Sequence, residues 1–287
     1  MTAINDPAYL LDKQYRDASN LNARIVLHRR FSTNKGDLHR WIFDHLRAAL
    51  GPDARIVEVG CGPADLWRTN RERLPPGWHV TLTDFSPGMV EAAGLALAGH
   101  NTRFSIQQAD AEALPFADGA FDAAVANYLL YHVPDRPRAI AELARVLVPG
   151  GRLFAATNGE RHMRELDDLL LPHLRALQAA LGASGTPDAT ATLNAITTSD
   201  VHGFTLENGA AQLSQSFAGV TLDLWDDALV VNEVEPLMRY IRSLGAGMAI
   251  PDDLMAAIQA DVEGRIARDG SIRIGMATGL FTAANPD

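Results

Sequence analysis

Only one cysteine, Cys61, occurs in 287 residues. A single thiol excludes an internal disulfide framework and any multi-cysteine zinc site, and it points to a reducing compartment. No run approaches the roughly 18 apolar residues that a membrane span needs. The N-terminal stretch MTAINDPAYLLDKQYRD carries charges and a proline where a signal peptide needs an apolar core. A cytoplasmic protein with no membrane partner is expected. Positive charge is also in short supply: 25 Lys and Arg stand against 35 Asp and Glu, a net charge of −10. Such a chain repels nucleic acid unless a basic patch is gathered on one face. The densest basic run, His28-Arg29-Arg30 with Lys35 nearby, reads as a solvated helix face. No His, Asp or Glu cluster has convincing ligand spacing, so no metal is expected. What remains is ordinary globular composition, 47% hydrophobic and 21% charged. The chain is long enough to bury a large core without staples.

Periodicity supplies the architecture. Leu38, Trp41, Ile42, His45, Leu46, Ala49 and Leu50 recur at three and four, which predicts an amphipathic helix ended by Gly51-Pro52. Short β-rich runs follow at Arg55–Val59, His79–Asp84, Arg103–Gln108, Phe121–Ala126 and Arg152–Thr157. Helical segments alternate with them: Asp65–Leu74, a helix capped by Ser86 with Pro87 at its first position, and Arg136–Leu147, broken by Pro149-Gly150-Gly151. That alternation implies a parallel sheet covered on both faces. Beyond Asn158 the rhythm changes. Helices are predicted over 160–182, 206–217, 233–244 and 252–268, a loop over 182–190, a strand that begins with Val220–Trp225, and a last strand within 271–283. The reading is an α/β chain with seven strands. Residues 1–36 would form an N-terminal lid and 37–159 the core. Residues 160–205 and 232–270 would be helical cap insertions, with 206–231 and 271–287 completing the core.

Ligands of open α/β sheets bind beyond the carboxyl ends of the strands. The first strand ends in Glu58-Val-Gly60-Cys-Gly62-Pro-Ala64, whose glycines allow a tight turn or close ligand approach. A dinucleotide fingerprint wants a third glycine at position 65. Asp65 stands there instead, and a carboxylate at a helix N-terminus repels a pyrophosphate. The loop therefore suits a ligand other than a phosphate. Asp84, at the end of the second strand, fits either a ribose-binding acid or a helix N-cap. Asp110, after the third, fits either an acceptor for an adenine amino group or a turn residue. Together these strand ends offer one nucleoside site.

Four segments, VEVGCGPADLW, LTDFSPGMV, QQADAEALPFADGAFDAAVANYLLYHV and RVLVPGGRLFAATNG, occur in the order and spacing of a known family. Residues 55 to 157 resemble the class I S-adenosylmethionine (SAM)-dependent methyltransferases. They are most similar to the branch of ubiquinone/menaquinone C-methyltransferases and bacterial natural-product methyltransferases. The resemblance implies a Rossmann-like, doubly wound, mostly parallel sheet and SAM as cofactor, with S-adenosylhomocysteine as product. It implies that Glu58, Gly60 and Gly62 lie beside the methionine part, that Asp84 binds ribose, and that Phe85 and Met89 lie near the adenine. Asp110 and Ala111 would contact that base, and Asn127 would turn its backbone to the methionine moiety. Ala64 departs from the family, where many relatives carry a third glycine. Two other classes stay open: a SAM-binding protein of this fold with a different activity, such as a cyclase, and a nicotinamide-dependent oxidoreductase.

Methyl transfer asks mainly for alignment of the acceptor and exclusion of water. His132, after the fourth strand, fits a general base or a loop scaffold. Tyr128 and Tyr131 fit pocket lining or packing. In the N-terminal segment, Tyr9 or Tyr15 fits a sulfonium-facing ring, Arg24 a partner for the SAM carboxylate, and His28 a substrate contact. Trp67 and Trp225 read as core. Leu169, Leu170, Leu237, Met238, Ile241 and Met248 suggest an apolar acceptor or simply a core. Arg161, Arg164, Arg239 and Arg242 fit an anion site or solvated helix faces. The expected acceptor is a small molecule, apolar or aromatic, and a secondary metabolite is consistent with it.

Overall fold

The computed structural model describes residues 26–99, 103–182, 203–244 and 251–286. Seven strands form one sheet in the order β3-β2-β1-β4-β5-β7-β6. They are β1 (Arg55–Val59), β2 (His79–Asp84), β3 (Phe104–Gln108), β4 (Phe121–Val125), β5 (Leu147–Asn158), β6 (Ala218–Val231) and β7 (Ile272–Ala284). The pairs β1–β2, β1–β4, β2–β3 and β4–β5 are parallel, and β7 runs antiparallel to β5. This is the Rossmann-like α/β sheet that the sequence predicts. The strand order reverses at β1, whose neighbours are β2 on one side and β4 on the other. That reversal opens the crevice in which such sheets bind ligands.

The helices of the sheet-bearing unit are α1 (Leu38–Ala49), α2 (Asp65–Asn70), α3 (Pro87–Ala96), α4 (Arg136–Arg145) and the short α6 (Gly209–Leu213); α5 (Arg164–Gly182) belongs elsewhere. Asp37 caps α1 by accepting the Arg40 N–H, and Ser86 caps α3 by accepting that of Met89. Along β1 the side chains alternate between two cores. Val57 and Val59 enter one with Leu130, Ile140 and Phe281. Ile56 enters the other with Phe43, Trp67 and Trp78. Phe43 lies 6.2 Å from Trp67 and 5.7 Å from Trp78, edge-on or tilted. Each such side chain contributes about 1.5–3 kcal/mol by leaving water.

Several elements differ from the sequence reading. α1 stops at Ala49 through an extended Leu50, and Gly51 lacks the left-handed φ of a glycine cap. The helix predicted to Leu74 ends at Asn70 and tightens into a 3-10 turn over Arg71–Arg73. Pro149-Gly150-Gly151 does not separate helix from strand but lies within β5. Phe121 pairs with Leu147 and Ala123 with Arg152, so the intervening residues bulge out. Asn285 closes that bulge, donating from Nδ2 to the Leu147 and Val148 carbonyls. The helix predicted over 206–217 shrinks to α6, beyond which the Ser214 hydroxyl bonds back to the Ala210 carbonyl at 2.7 Å. β6 runs on to Val231 through Asp226-Asp227, a poor strand pair. Asp227 is tolerated because its carboxylate accepts from the Ser32 hydroxyl at 2.7 Å and from the Asn34 N–H at 2.9 Å.

The chain divides into two compact units. One comprises Gly36–Gly159, Gly203–Trp225 and Thr278–Asp287; the other comprises Met1–Lys35, Glu160–His202 and Asp226–Ala277. Residues 226–231 and 271–277, expected with the core, fall in the second. There, α8 (Asp252–Asp269) packs against both α5 and α7 (Val234–Leu244). Leu169, Leu170, Leu237, Met238 and Ile241 are all core residues of this unit, so their apolar character carries no substrate signal. Met248 lies outside the described residues. Arg161 and Arg164 are exposed, and Arg239 and Arg242 pair with Glu235 at 3.5 and 3.7 Å.

Candidate active site

Register brings the candidate residues to one level. Val59 pairs with Thr83 and Glu58 with Val125. One step past β1 therefore puts Gly60 level with Asp84, and two residues past β4 comes Asn127. Gly60, Gly62 and Ala64 have φ of 72°, 52° and 59°, the left-handed region that favours glycine. They occupy it for different reasons. A Cβ on Gly60 would stand 2.7 Å from Leu129 Cδ1, so the loop after β4 leaves no room there. A Cβ on Gly62 would meet nothing within 4 Å, so that position borders open space. Ala64 takes the same backbone with its methyl buried.

The loop is stitched to β2. Cys61 donates its N–H to the Thr83 carbonyl at 2.9 Å, and Gly62 donates its own to Asp84 Oδ2 at 2.9 Å. Asp84 Oδ1 accepts from the Ser86 N–H at 2.8 Å. Each carboxylate oxygen thus holds one backbone donor and keeps a lone pair for another. Burial raises the Asp84 carboxyl, against the pull of the Ser86, Gly62 and Phe85 N–H groups. Its N-cap reading falls away, since Ser86 is the cap. Phe85 is 42% exposed, and its carbonyl accepts from the Gln108 side chain at 2.9 Å. Met89 is buried. Asp110 makes a turn contact with one oxygen: Oδ1 accepts from the Glu112 N–H at 2.9 Å, beside buried Ala111.

A buried polar cluster lies behind the glycine loop. Glu58, 3% exposed, accepts from Trp67 Nε1 at 2.5 Å and from Asn127 Nδ2 at 3.2 Å. Burial pushes its carboxyl up to about 8; the two donors oppose this, while Asp84 and Asp65 add to it. Asn127 Oδ1 is buried and has no hydrogen-bond partner among the described residues. A buried carbonyl oxygen left unpaired is costly and marks a site where a donor is missing.

Tyr128 follows with φ of 53°, its N–H donated to the Ala156 carbonyl at 2.9 Å. Burial raises its phenol far above neutrality despite a hydrogen bond to Thr278, so it stays protonated. Thr278 in turn donates to Asn158 Oδ1 at 2.9 Å. Those bonds tie Tyr128 to the sheet. Tyr131 and His132 are half-buried, with ring centroids 4.4 Å apart, and the His132 N–H is donated to the Leu129 carbonyl at 2.8 Å. Trp67 is core, as expected, and Trp225 is half-buried, 5.3 Å from Trp41. His28 belongs to the other unit, edge-on to Tyr240 at 6.3 Å. Tyr9, Tyr15 and Arg24 lie outside the described residues.

Sequence reasoning missed three supports. Trp67 holds Glu58 through its indole N–H, a bond that its helical spacing does not reveal. Leu129 fills the space that keeps Gly60 a glycine. Arg145, on α4, gathers the loop after Asp110: its guanidinium donates to the Leu114 and Phe116 carbonyls at 3.0 and 2.7 Å. It also donates to Asp118 and Glu142 at 2.8 and 2.6 Å.

Residues 57–155 match the family described as "Methyltransferase domain". The chain is 35% identical over 159 residues to the ubiquinone/menaquinone biosynthesis C-methyltransferase UbiE of Methylobacterium nodulans, a match over 50% of this chain and 62% of that one. It is 40% identical over 99 residues to the demethylmenaquinone methyltransferase of Thermus thermophilus, over 34% of this chain and 44% of that one. The chain thus spans less than two thirds of the length of either relative. Among solved structures it resembles the YcgJ protein of Bacillus subtilis, with a TM-score of 0.58 at 20% identity, over 87% of this chain and 99% of that one. Residues 57–155 thus match a methyltransferase domain, and in that region the chain is similar to ubiquinone/menaquinone C-methyltransferases.

Proposed function

We propose that the protein methylates a small-molecule acceptor, apolar or aromatic in character, with SAM as the methyl donor. The observation that carries this reading is the set of oxygen acceptors at one level of the sheet: the Asp84 carboxylate seated on the Gly62 N–H, and the unpaired Asn127 Oδ1. The donor's chemistry fits them. Its ribose hydroxyls are donors for Asp84, and its ammonium is a donor for Asn127 Oδ1. The open space at Gly62 allows the close approach that its methionine part requires. Phe85 and Met89 offer apolar surface to the adenine, with Asp110 and Ala111 at its edge.

When bound, the cofactor supplies a methyl group on a positively charged sulfur. The chain's own work is then to align an acceptor and exclude water. His132 is the group proposed to take the acceptor's proton, since Tyr128 is held protonated. Tyr131 is proposed to contact the acceptor. The quinones named in both relatives make planar, apolar aromatics the first candidates, and a secondary metabolite of that chemistry fits as well. The net charge of −10 favours such a molecule over nucleic acid. We place the activity in the cytoplasm.

The test is incubation with methyl-labelled SAM and a panel of demethylated quinones, phenols and indoles. Labelled product on one of them is the expected result. A thermal-shift comparison runs alongside. Stabilisation by NAD and not by SAM or S-adenosylhomocysteine would overturn the reading in favour of an oxidoreductase.

A further inference from the structure

Asn127 Oδ1 is a buried acceptor without a donor, while the same amide's nitrogen is held by Glu58. The orientation of that amide depends on which groups Glu58 can offer. An ionised carboxylate only accepts, so it holds the amide NH₂ and leaves Oδ1 for a ligand. A protonated carboxyl also donates, and its O–H can satisfy Oδ1 once the amide has turned over. The ligand would then face NH₂ instead of C=O. Glu58 cannot itself swing away, because its other oxygen is fixed by Trp67 Nε1 at 2.5 Å.

We propose that Glu58 is a positioning residue that sets, through its protonation, whether Asn127 presents an acceptor or a donor to the ammonium of bound SAM. This rests on the cofactor reading above. Cofactor binding selects the ionised form, so the proton on Glu58 leaves to solvent as the ammonium takes its place as the donor to Asn127. The groups facing Glu58 favour retention of that proton in the free protein: Asp84 from β2 and Asp65 from α2 both oppose a further negative charge, and the Cys61 thiol is held neutral by burial. With the carboxyl raised to about 8, most free molecules carry the proton at neutral pH.

The experiment is calorimetric binding of SAM and of S-adenosylhomocysteine between pH 6.5 and 8.5, to the wild type and to Glu58→Gln. Glutamine matches the protonated carboxyl in shape, keeps an acceptor for Trp67, and donates to Asn127 at every pH. Taking the ratio of wild-type to Glu58→Gln affinity removes the pH dependence that the two proteins share. That ratio is expected to rise roughly twentyfold across the interval, as the carboxyl ionises. At pH 7 the wild type should also expel close to one proton per cofactor, read from binding heats in buffers of different ionisation enthalpy. A ratio that stays flat overturns the proposal.

Asn127→Ala separates positioning from direct charge attraction. In that background the ratio should no longer vary with pH. If it rises as before, Glu58 acts on the cofactor by its charge alone, and the relay through Asn127 is wrong. Absence of SAM binding at any pH would overturn the cofactor reading and the proposal together, whereas flat binding would overturn the proposal alone.

Discussion

Replacing Glu58 by Gln should make the sheet-bearing unit more stable, and by an amount that grows with pH. The side chain is 3% exposed, and burial carries its carboxyl from an ordinary 4.5 to about 8. Between those values the folded protein keeps a proton that the unfolded chain has released. Stability therefore falls as pH rises through this window, the reverse of the usual salt-bridged carboxylate. Each pH unit costs about 1.4 kcal/mol, so the full interval sets a ceiling of about 5 kcal/mol. Relaxation around the ionised group lowers this, and roughly 2–5 kcal/mol is expected. Glutamine is neutral throughout and keeps an acceptor for Trp67. The stability difference between Glu58→Gln and wild type should be flat below about pH 4.5, grow to about pH 8, and level off. Urea unfolding followed by tryptophan fluorescence at pH 5, 6.5 and 8 measures it, since Trp67 and Trp78 are both fully buried in this unit. A difference that is constant across the three pH values would refute the reasoning. It would mean that Glu58 is already ionised in the fold at pH 5, with its two donors outweighing burial.

Gly60→Ala should cost about 2–4 kcal/mol, combining a left-handed φ with overpacking against Leu129; unchanged unfolding midpoints would show that the loop has another accessible shape. Asp84→Asn should weaken SAM binding about 10- to 100-fold, the worth of hydrogen bonds to a charged acceptor; calorimetric affinity within twofold of wild type would remove Asp84 from the ribose site. His132→Gln should lower turnover about 10²–10⁴-fold with SAM affinity kept, as for loss of a general base; unchanged turnover would leave His132 as scaffold.

How far the sequence could be read follows the range of the forces involved. β1, β2 and the Ser86-Pro87 helix start were legible because their signals are local: β-branched runs, a capping hydroxyl, a fixed proline φ. Gly60, Gly62 and Asp84 were legible for the same reason, as residues at strand ends. The bulge at Pro149-Gly150-Gly151 was not, since Asn285, distant in sequence, is what makes it part of a strand. Nor was the continuation of β6 through Asp226-Asp227, where Ser32 and Asn34 supply the donors. Trp67 shows the same limit inside the site. Its helical spacing correctly marks it as core, but its indole N–H reaches Glu58 by a packing that no local pattern encodes. For the apolar residues of α5 and α7 the sequence left core and acceptor pocket both open, because a core and a greasy pocket have the same composition; the structure places them in a core.

The Arg145 fork has a consequence for genetics. Three of its donor bonds close the loop that carries Asp110 and Ala111, yet its own place is on α4. In a screen for loss of function, lesions at Arg145 should therefore fall into the same phenotypic class as lesions in the loop itself. Even Arg145→Lys should score there, because an ammonium cannot reproduce a planar fork shared among two carbonyls and two carboxylates. Second-site suppressors should arise in the 112–119 segment, where a shorter or stiffer turn would restore the loop without the arginine.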